Sequence, residues 1–214
     1  MTAVIDRFIK NAFGNLTGYS KLDTDPASRN RIAEYAMLKS YQTVYERNKI
    51  KRPLNTLKKI TYTENLAFGA TQEEAKRQMS NPPIEALFNT NKINRNILLF
   101  AEKKSGVHVQ VEMHFHENSL FLFKVLFPKA TPILRINLIK QLLTEYGIAN
   151  VDLTLHTVYD HNNNCIQIRD LNTFEVIYSA LDSPFYNKLV KELNRSNNQL
   201  LADYKLTDAP IITR

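Results

Sequence analysis

Apolar and polar residues in the middle of the chain follow helical spacing first and strand-like alternation afterwards, and this order occurs twice. In the first half, Thr71 and Glu74 form a capping-box pattern that predicts the start of a short helix, and Asn81-Pro82-Pro83 ends it. Three stretches typical of strands follow, at residues 97–102, 107–116 and 120–127. Because short turns separate the last two, the pattern predicts an antiparallel meander.

The second half repeats this order with a longer helix over residues 132–146, which Gly147 ends. Its predicted inner face consists of Ile133, Ile136, Ile139, Leu142, Leu143 and Tyr146. Three more strands are predicted at residues 151–158, 165–169 and 174–179, and Pro184 opens a closing helix. Consecutive antiparallel strands with segregated helices indicate an α+β fold.

The predicted organisation is therefore a body over residues 61–194 with a lead-in and a tail. The body is expected to contain two helix-plus-three-stranded-antiparallel-meander units, at about 66–127 and 128–180, and the closing helix. Residues 1–60 are expected to form a basic N-terminal helical segment, in which Pro53 ends regular structure, and residues 195–214 a polar tail.

The opening turns of the first unit carry a family resemblance. Phe68-Gly69-Ala70-Thr71, then Glu73-Glu74-Ala75 and Asn81-Pro82, resemble the start of the SmpA/OmlA-type outer-membrane lipoproteins. The order of elements is also similar to that of the β-lactamase-inhibitor-like proteins, which use tandem helix-plus-meander units. The chain departs from the lipoprotein pattern at Ser80, near the expected glycine, and in the lack of a lipobox cysteine. The resemblance implies a protein-binding module without catalytic activity.

The net charge of +7 lies in the lead-in. Residues 1–60 contain 12 Lys and Arg against 5 Asp and Glu, which gives +7, whereas residues 61–214 contain 16 of each, which gives zero. The densest group of basic residues comprises Arg47, Lys49, Lys51, Arg52, Lys58 and Lys59, close to Tyr41 and Tyr45. Such a group is compatible with phosphate contacts and base stacking in a nucleic-acid site. The alternative is that the tyrosines anchor a helix to the core while the charges face water.

One predicted strand carries the residues most typical of a metal site. His108, Glu112, His114 and His116 alternate with apolar residues and are expected on one strand face. Two histidines at positions i and i+2 can bind one metal ion, so this face is a candidate metal site. The alternative is a polar strand face that is exposed to solvent or covered by a helix.

Other chemistry is disfavoured by the sequence. The single cysteine, Cys165, begins a predicted strand and is expected to be a small buried residue rather than a nucleophile. The chain has no glycine-rich phosphate loop and no recognisable hydrolase or zinc motif, so neither a catalytic residue nor a cofactor is predicted. Without a secretory signal pattern or an apolar run long enough to span a bilayer, a cytoplasmic location is expected.

These patterns leave the biochemical function undetermined and favour a non-enzymatic protein-binding or self-associating module. Self-association would use the apolar positions of a short amphipathic helix near the start of the chain, Val4, Phe8 and Phe13. Nucleic-acid binding through the basic group and a metal-dependent function through His114 and His116 are the alternatives.

Overall fold

The computed structural model describes residues 35, 38–79, 84–90, 93–104, 107–171 and 173–207. The helices are α1 (Lys39–Ile50), α2 (Gln72–Gln78), α3 (Pro132–Glu145) and α4 (Pro184–Thr207). The strands are β1 (Arg52–Asn55), β2 (Ile84–Thr90), β3 (Ile93–Lys104), β4 (Val107–His116), β5 (Ser119–Phe127), β6 (His156–Tyr159), β7 (Asn164–Asp170) and β8 (Phe174–Ala180). The amphipathic helix predicted around residues 4–13 lies outside the described residues.

All eight strands belong to one mixed sheet. Their order is β1-β6-β7-β8-β5-β4-β3-β2, and among the described strand pairs only β1 and β6 run parallel to each other. Two antiparallel meanders, β2 to β5 and β6 to β8, meet where β5 pairs with β8. The expected α+β class is confirmed, since the described helices pack on a largely antiparallel sheet.

The division into two three-stranded units is not confirmed by this topology. The first meander has four strands, because β2 forms where the sequence predicted a loop. In addition, β1 contains Pro53, which was expected to end regular structure. Proline is tolerated there because β1 lies at an edge of the sheet, with one neighbouring strand among the described residues. Strand β6 is shorter than predicted, since residues 151–155 precede it as turns.

Helices cover both faces of the sheet. On one face, α2 and α3 pack over apolar residues of the central strands, such as Val111, Phe123 and Tyr178. On the other face, α1 and the first turns of α4 pack over a second apolar cluster that includes Ile97, Leu122 and Ile177. Both faces of β5 and of the second half of β4 are therefore buried. The apolar run of β5 predicts burial on both faces, whereas the polar face of β4 left open whether a helix covers it.

The buried face of α3 matches the predicted one in its last turns and differs from it in its first turns. Leu142, Leu143 and Tyr146 are buried as predicted. Ile133 and Ile136 are instead 73% and 53% exposed, and Leu134 and Leu138 are buried against the sheet. The helix does end at Gly147, whose φ of +62° lies in the left-handed region that favours glycine. The correction therefore concerns only the first turns of the helix.

The capping box predicted at α2 is confirmed. The Thr71 hydroxyl accepts a hydrogen bond from the Glu74 amide, and the Glu74 carboxylate accepts one from the Thr71 amide. The Thr71 amide and hydroxyl both donate to this carboxylate, and these two bonds hold the pKa of Glu74 below its usual value. Within the described ranges, no helix is long and apolar enough to cross a membrane.

Candidate functional site

The polar face of β4 lies mostly beneath helices. His108, near the start of the strand, is exposed, while Glu112, His114 and His116 are buried under α1 and α4. A buried polar side chain requires a partner, because desolvation without a hydrogen bond costs about 1–3 kcal/mol. The contacts of these three residues therefore determine what this face does.

His114 links helix α1 to the sheet. Its Nδ1 atom lies 3.0 Å from the Tyr41 hydroxyl, and its Nε2 atom lies 3.7 Å from the Glu112 carboxylate. Burial raises the pKa of Tyr41 far above its ordinary value, so the hydroxyl is protonated and donates to Nδ1. The imidazole proton then lies on Nε2 and points towards Glu112. Burial also lowers the pKa of His114, which favours the neutral ring.

Two cations complete this buried cluster. Lys124, on β5, is directly opposite Glu112, and its Nζ atom lies 3.4 Å from the carboxylate. The Lys124 Nζ atom is also 4.4 Å from the centre of the Tyr35 ring. Arg95, on β3, donates a 2.8 Å hydrogen bond to the Tyr35 carbonyl. The cluster therefore joins three strands to the chain at and just before α1.

His116 has separate partners at the end of the strand. Its Nδ1 atom donates to the Asn94 carbonyl at 2.6 Å, and its Nε2 atom accepts from Lys188 of α4 at 3.2 Å. Lys188 also bonds the Glu117 carboxylate at 2.5 Å, which lowers the pKa of Glu117. Both nitrogen atoms of His116 therefore have hydrogen-bond partners.

The geometry gives no support to the predicted metal site. The four candidate ligands, His108, Glu112, His114 and His116, do not converge on one point, since His108 is exposed and each buried histidine has its own partners. Within the residues that the structure describes, no group of three or more His, Cys, Asp or Glu side chains is placed to hold a metal ion. The metal site stays a prediction from the sequence.

Cys165 lies on the face of the sheet that α1 covers, next to the side-chain amide groups of Asn48 on α1 and Gln167 on β7. Its thiol donates to the Asn48 side chain at 3.4 Å, and the Gln167 amide bonds the same Asn48 oxygen. Burial raises the pKa of Cys165 to about 12, so the thiolate is almost absent at neutral pH. The Cys165 side chain is therefore suited to packing in the core rather than to nucleophilic attack.

Several of the six basic residues proposed for an anionic partner have partners within the protein. The Lys51 ammonium donates to the Ile168 carbonyl at 2.9 Å, and Lys58 lies 3.8 Å from the carboxylate of Glu145 on α3. Lys49 lies 4.9 Å from the centre of the Tyr45 ring. The remaining candidates are Arg47, which is half-buried, and Arg52 and Lys59, which are exposed. Tyr41 is buried, whereas Tyr45 stays half-exposed beside Lys49.

A groove separates α1 from α4 above β6. It has a volume of about 410 Å³, and its walls include the rings of Tyr45, Tyr159 and Tyr186. Lys49 and Asp182 also line the groove, so it carries one positive and one negative side chain. The rings of Tyr45 and Tyr186 are stacked on each other with centroids 5.7 Å apart.

The two edges of the sheet differ sharply. Strand β1 has only four residues, and Pro53 removes one of its hydrogen-bond donors. Strand β2 has seven residues that include neither Lys nor Pro, and it pairs with β3 without a register shift. Leu87, in the middle of β2, is 81% exposed. Sequence reasoning missed this edge, although Ile84, Ala86 and Phe88 alternate with Glu85 and Leu87.

Comparisons of the chain with protein-family models, with curated proteins and with solved structures give no match. The resemblance to the SmpA/OmlA-type lipoproteins therefore stays a prediction, and the residues themselves carry the functional argument.

Proposed function

We propose that this chain is a non-enzymatic protein-binding module, and that the free edge of strand β2 accepts an extended segment of another protein chain. The observation that carries the proposal is the unprotected state of β2, which has a single strand neighbour among the described residues. Natural sheets protect their edges with Lys, Pro, bulges or very short strands, because an open edge pairs readily with another strand. The β1 edge has such protection, and β2 lacks it.

Alternate residues of β2 direct their main-chain groups away from β3. Thr90 and Ile93 are the last pair before the two-residue connection between the strands. In a two-residue hairpin the closing pair exchanges both hydrogen bonds, so Thr90 and every second residue before it bond β3. The residues between them direct their N–H and C=O groups away from β3. We therefore expect an added strand to bind the N–H and C=O groups of Glu85, Leu87 and Asn89.

The buried ionisable residues support a role without catalysis. The Tyr41 hydroxyl bonds His114, Lys124 lies within ion-pair distance of Glu112 below α1, and the Cys165 thiol is protonated. A general base or nucleophile must reach a substrate. None of these groups lines the groove between α1 and α4, or a second cleft beside β2 that is lined by Leu87, Phe88 and Asn94. Their contacts instead hold α1 against the sheet.

Peptide selection on the intact chain tests the proposal. Random peptides displayed on phage are selected against the protein, and hydrogen exchange is then measured with each bound peptide. We expect bound peptides to slow exchange at the Glu85 and Asn89 amides, because these donors enter a new ladder. Leu87→Pro removes the backbone N–H of Leu87, which points away from β3, and leaves the bonds between β2 and β3 in place. We therefore expect the affinity for the selected peptides to fall at least tenfold.

The control replaces an equally exposed apolar side chain elsewhere. Ile133→Ser, on the outer face of α3, is expected to leave peptide binding unchanged. Selected peptides that leave exchange in β2 unaltered, or that bind the Leu87→Pro protein as well as the unchanged protein, would contradict the proposal.

A second candidate function is the binding of single-stranded nucleic acid along the groove between α1 and α4. The observation that favours it is the presence of half-exposed Tyr45 and Tyr159 beside Lys49 at the groove. Aromatic rings stack on bases, and nearby cations bind phosphates. Arg52 and Lys59 add exposed positive charge in the same part of the chain.

Salt dependence distinguishes this candidate from protein binding. Affinity for a fluorescent oligonucleotide is measured from low to physiological salt, and the logarithm of the binding constant is expected to fall linearly with that of the salt concentration. Replacing Lys49, Arg52 and Lys59 with Gln is expected to reduce this slope. The control replaces Lys129 and Lys140, exposed beside and on α3, with Gln, and the change in slope is compared per charge removed, since the control removes two charges and the test variant three. The absence of binding by the intact protein at low salt would exclude the candidate.

A further inference from the structure

We infer that the β2 edge pairs with a second copy of this chain, in an antiparallel arrangement about a two-fold axis at Leu87. This inference rests on the proposed function, because it needs β2 to accept a strand, and it names the strand that binds. Two-fold dimers use the same surface on both subunits, so the edge must be complementary to itself.

The sequence of β2 meets this requirement. An axis at Leu87 places Leu87 opposite Leu87, Ala86 opposite Phe88, and Glu85 opposite Asn89 of the other copy. No like charges are then opposite each other, which would otherwise destabilise the pair. The Glu85 carboxylate also has a cation on its own subunit, since Lys76 of α2 lies 2.8 Å from it.

The direction of the main-chain groups fits the same axis. Glu85, Leu87 and Asn89 are the outward-facing residues, so the two copies of Leu87 would exchange both hydrogen bonds with each other. Glu85 and Asn89 would do the same on either side of the axis. One axis therefore satisfies all three outward residues of both copies.

Charge and exposure favour a second copy over an acidic partner. The positive excess of the chain lies in residues 1–60, whereas residues 61–214, which include β2, have a net charge of zero. An acidic segment would find no basic residue within β2 to bind. The exposed residue at the centre is Leu87, which in the dimer would be covered by its own counterpart.

The expected dimer is concentration-dependent. One pair of seven-residue strands buries less surface than the roughly 1,200–2,000 Å² of a standard stable interface. We therefore expect the molar mass from light scattering to rise from that of one chain towards twice that value as the protein is concentrated.

Disulfide cross-linking tests the two-fold register directly. In the Leu87→Cys protein, the two new thiols would lie on residues whose Cα atoms are about 5.5 Å apart, within the range that a disulfide bridges. The native Cys165 does not interfere, because it is fully buried and its pKa is raised to about 12. Mild oxidation is expected to convert most of the Leu87→Cys protein into a dimer that reduction reverses.

Two control variants define the register. Ile133→Cys places an equally exposed thiol on α3, and Glu85→Cys places one on β2 opposite Asn89 rather than opposite itself. Both are expected to stay largely monomeric, whereas combining Glu85→Cys with Asn89→Cys restores the cross-link.

The outcomes separate this inference from the proposed function. A Leu87→Cys protein that cross-links no faster than Ile133→Cys overturns the second-copy inference. If peptides selected on the intact chain still protect the β2 amides, the edge binds a different strand and the proposed function stands. If the β2 amides are protected at concentrations where the chain is monomeric, a segment of the same chain covers the edge and both proposals fail.

Discussion

The Tyr41 hydroxyl lies 3.0 Å from Nδ1 of His114, and this contact joins helix α1 to the centre of the sheet across 73 residues of sequence. Both side chains are fully buried. The Tyr41 ring also contacts Phe121 and Phe185, with ring centroids 5.7 and 4.8 Å away. The hydrogen bond therefore lies inside the apolar cluster that holds α1 and α4 on one face.

Loss of this hydroxyl is expected to destabilise the fold. Tyr41→Phe keeps the ring but leaves a buried nitrogen of His114 without its donor, which costs about 1–3 kcal/mol. The free energy of unfolding is measured by urea titration. The control is Tyr45→Phe, which changes a half-buried ring on the same helix and is expected to cost less. Equal losses in the free energy of unfolding for the two substitutions would show that the Tyr41–His114 hydrogen bond adds no stability beyond that of a half-buried hydroxyl.

Stability is expected to fall as the pH drops below about 6.5, the ordinary pKa of an unfolded histidine. The pKa of His114 is lowered in the folded protein, chiefly by burial, so below 6.5 the unfolded state binds a proton that the folded state does not. Above pH 6.5 this group does not reduce the free energy of unfolding. Below that pH, the free energy of unfolding decreases by at most about 1.4 kcal/mol per pH unit, until the pH reaches the pKa of His114 in the folded protein.

Urea titrations between pH 5 and 8 measure this slope. The ionisable groups near His114 include Glu112 on its own strand, Tyr41 on α1 and Arg95 on β3. The Tyr35 ring is also close, with its centroid 4.6 Å from that of His114. Nearby Glu112 opposes the lowering, whereas burial dominates it. His114→Gln is expected to reduce the slope, although it lowers stability at every pH. An unchanged slope in that variant would assign the pH dependence to other groups.

The buried pair of Glu112 and Lys124 is expected to behave differently from an exposed pair. Glu112→Gln removes the carboxylate that faces Lys124 inside the protein, and breaking a buried pair costs about 3–5 kcal/mol. The exposed pair of Lys76 and Glu85 is the control, because Glu85→Gln is expected to cost at most about 1 kcal/mol. A double-mutant cycle with Lys124→Met measures the coupling. A coupling energy near zero would contradict the expected interaction between the two side chains.

Local patterns in the sequence were sufficient for part of the fold. The capping box of Thr71 and Glu74 and the stop at Gly147 depend on neighbouring residues only, and both are confirmed. The strand from Val107 to His116 is also confirmed. Its polar face could not be assigned to the interior, because the helices that cover it lie far away in the sequence and are placed by tertiary packing.

The candidate site was less accessible to sequence reasoning. Glu112 and His114 were found by their alternation, but their partners Tyr41 and Lys124 come from other elements, and no local spacing joins them. Strand β2 was missed because its seven residues adjoin Asn81-Pro82-Pro83, which the sequence rules interpret as the start of a loop. Self-association through Val4, Phe8 and Phe13 stays a prediction.

The orientation of α3 gives the last prediction. Ile133 and Leu134 are adjacent and both apolar, so helical spacing alone permits either of two faces to be the buried one. The structure places Leu134 at 8% exposure and Ile133 at 73%. Leu134→Ala is therefore expected to cost about 2–5 kcal/mol, because it leaves a cavity against the sheet. Ile133→Ala is expected to change stability by at most about 0.5 kcal/mol. Urea unfolding of both variants measures the difference, and a larger loss at Ile133 would restore the face predicted from the sequence.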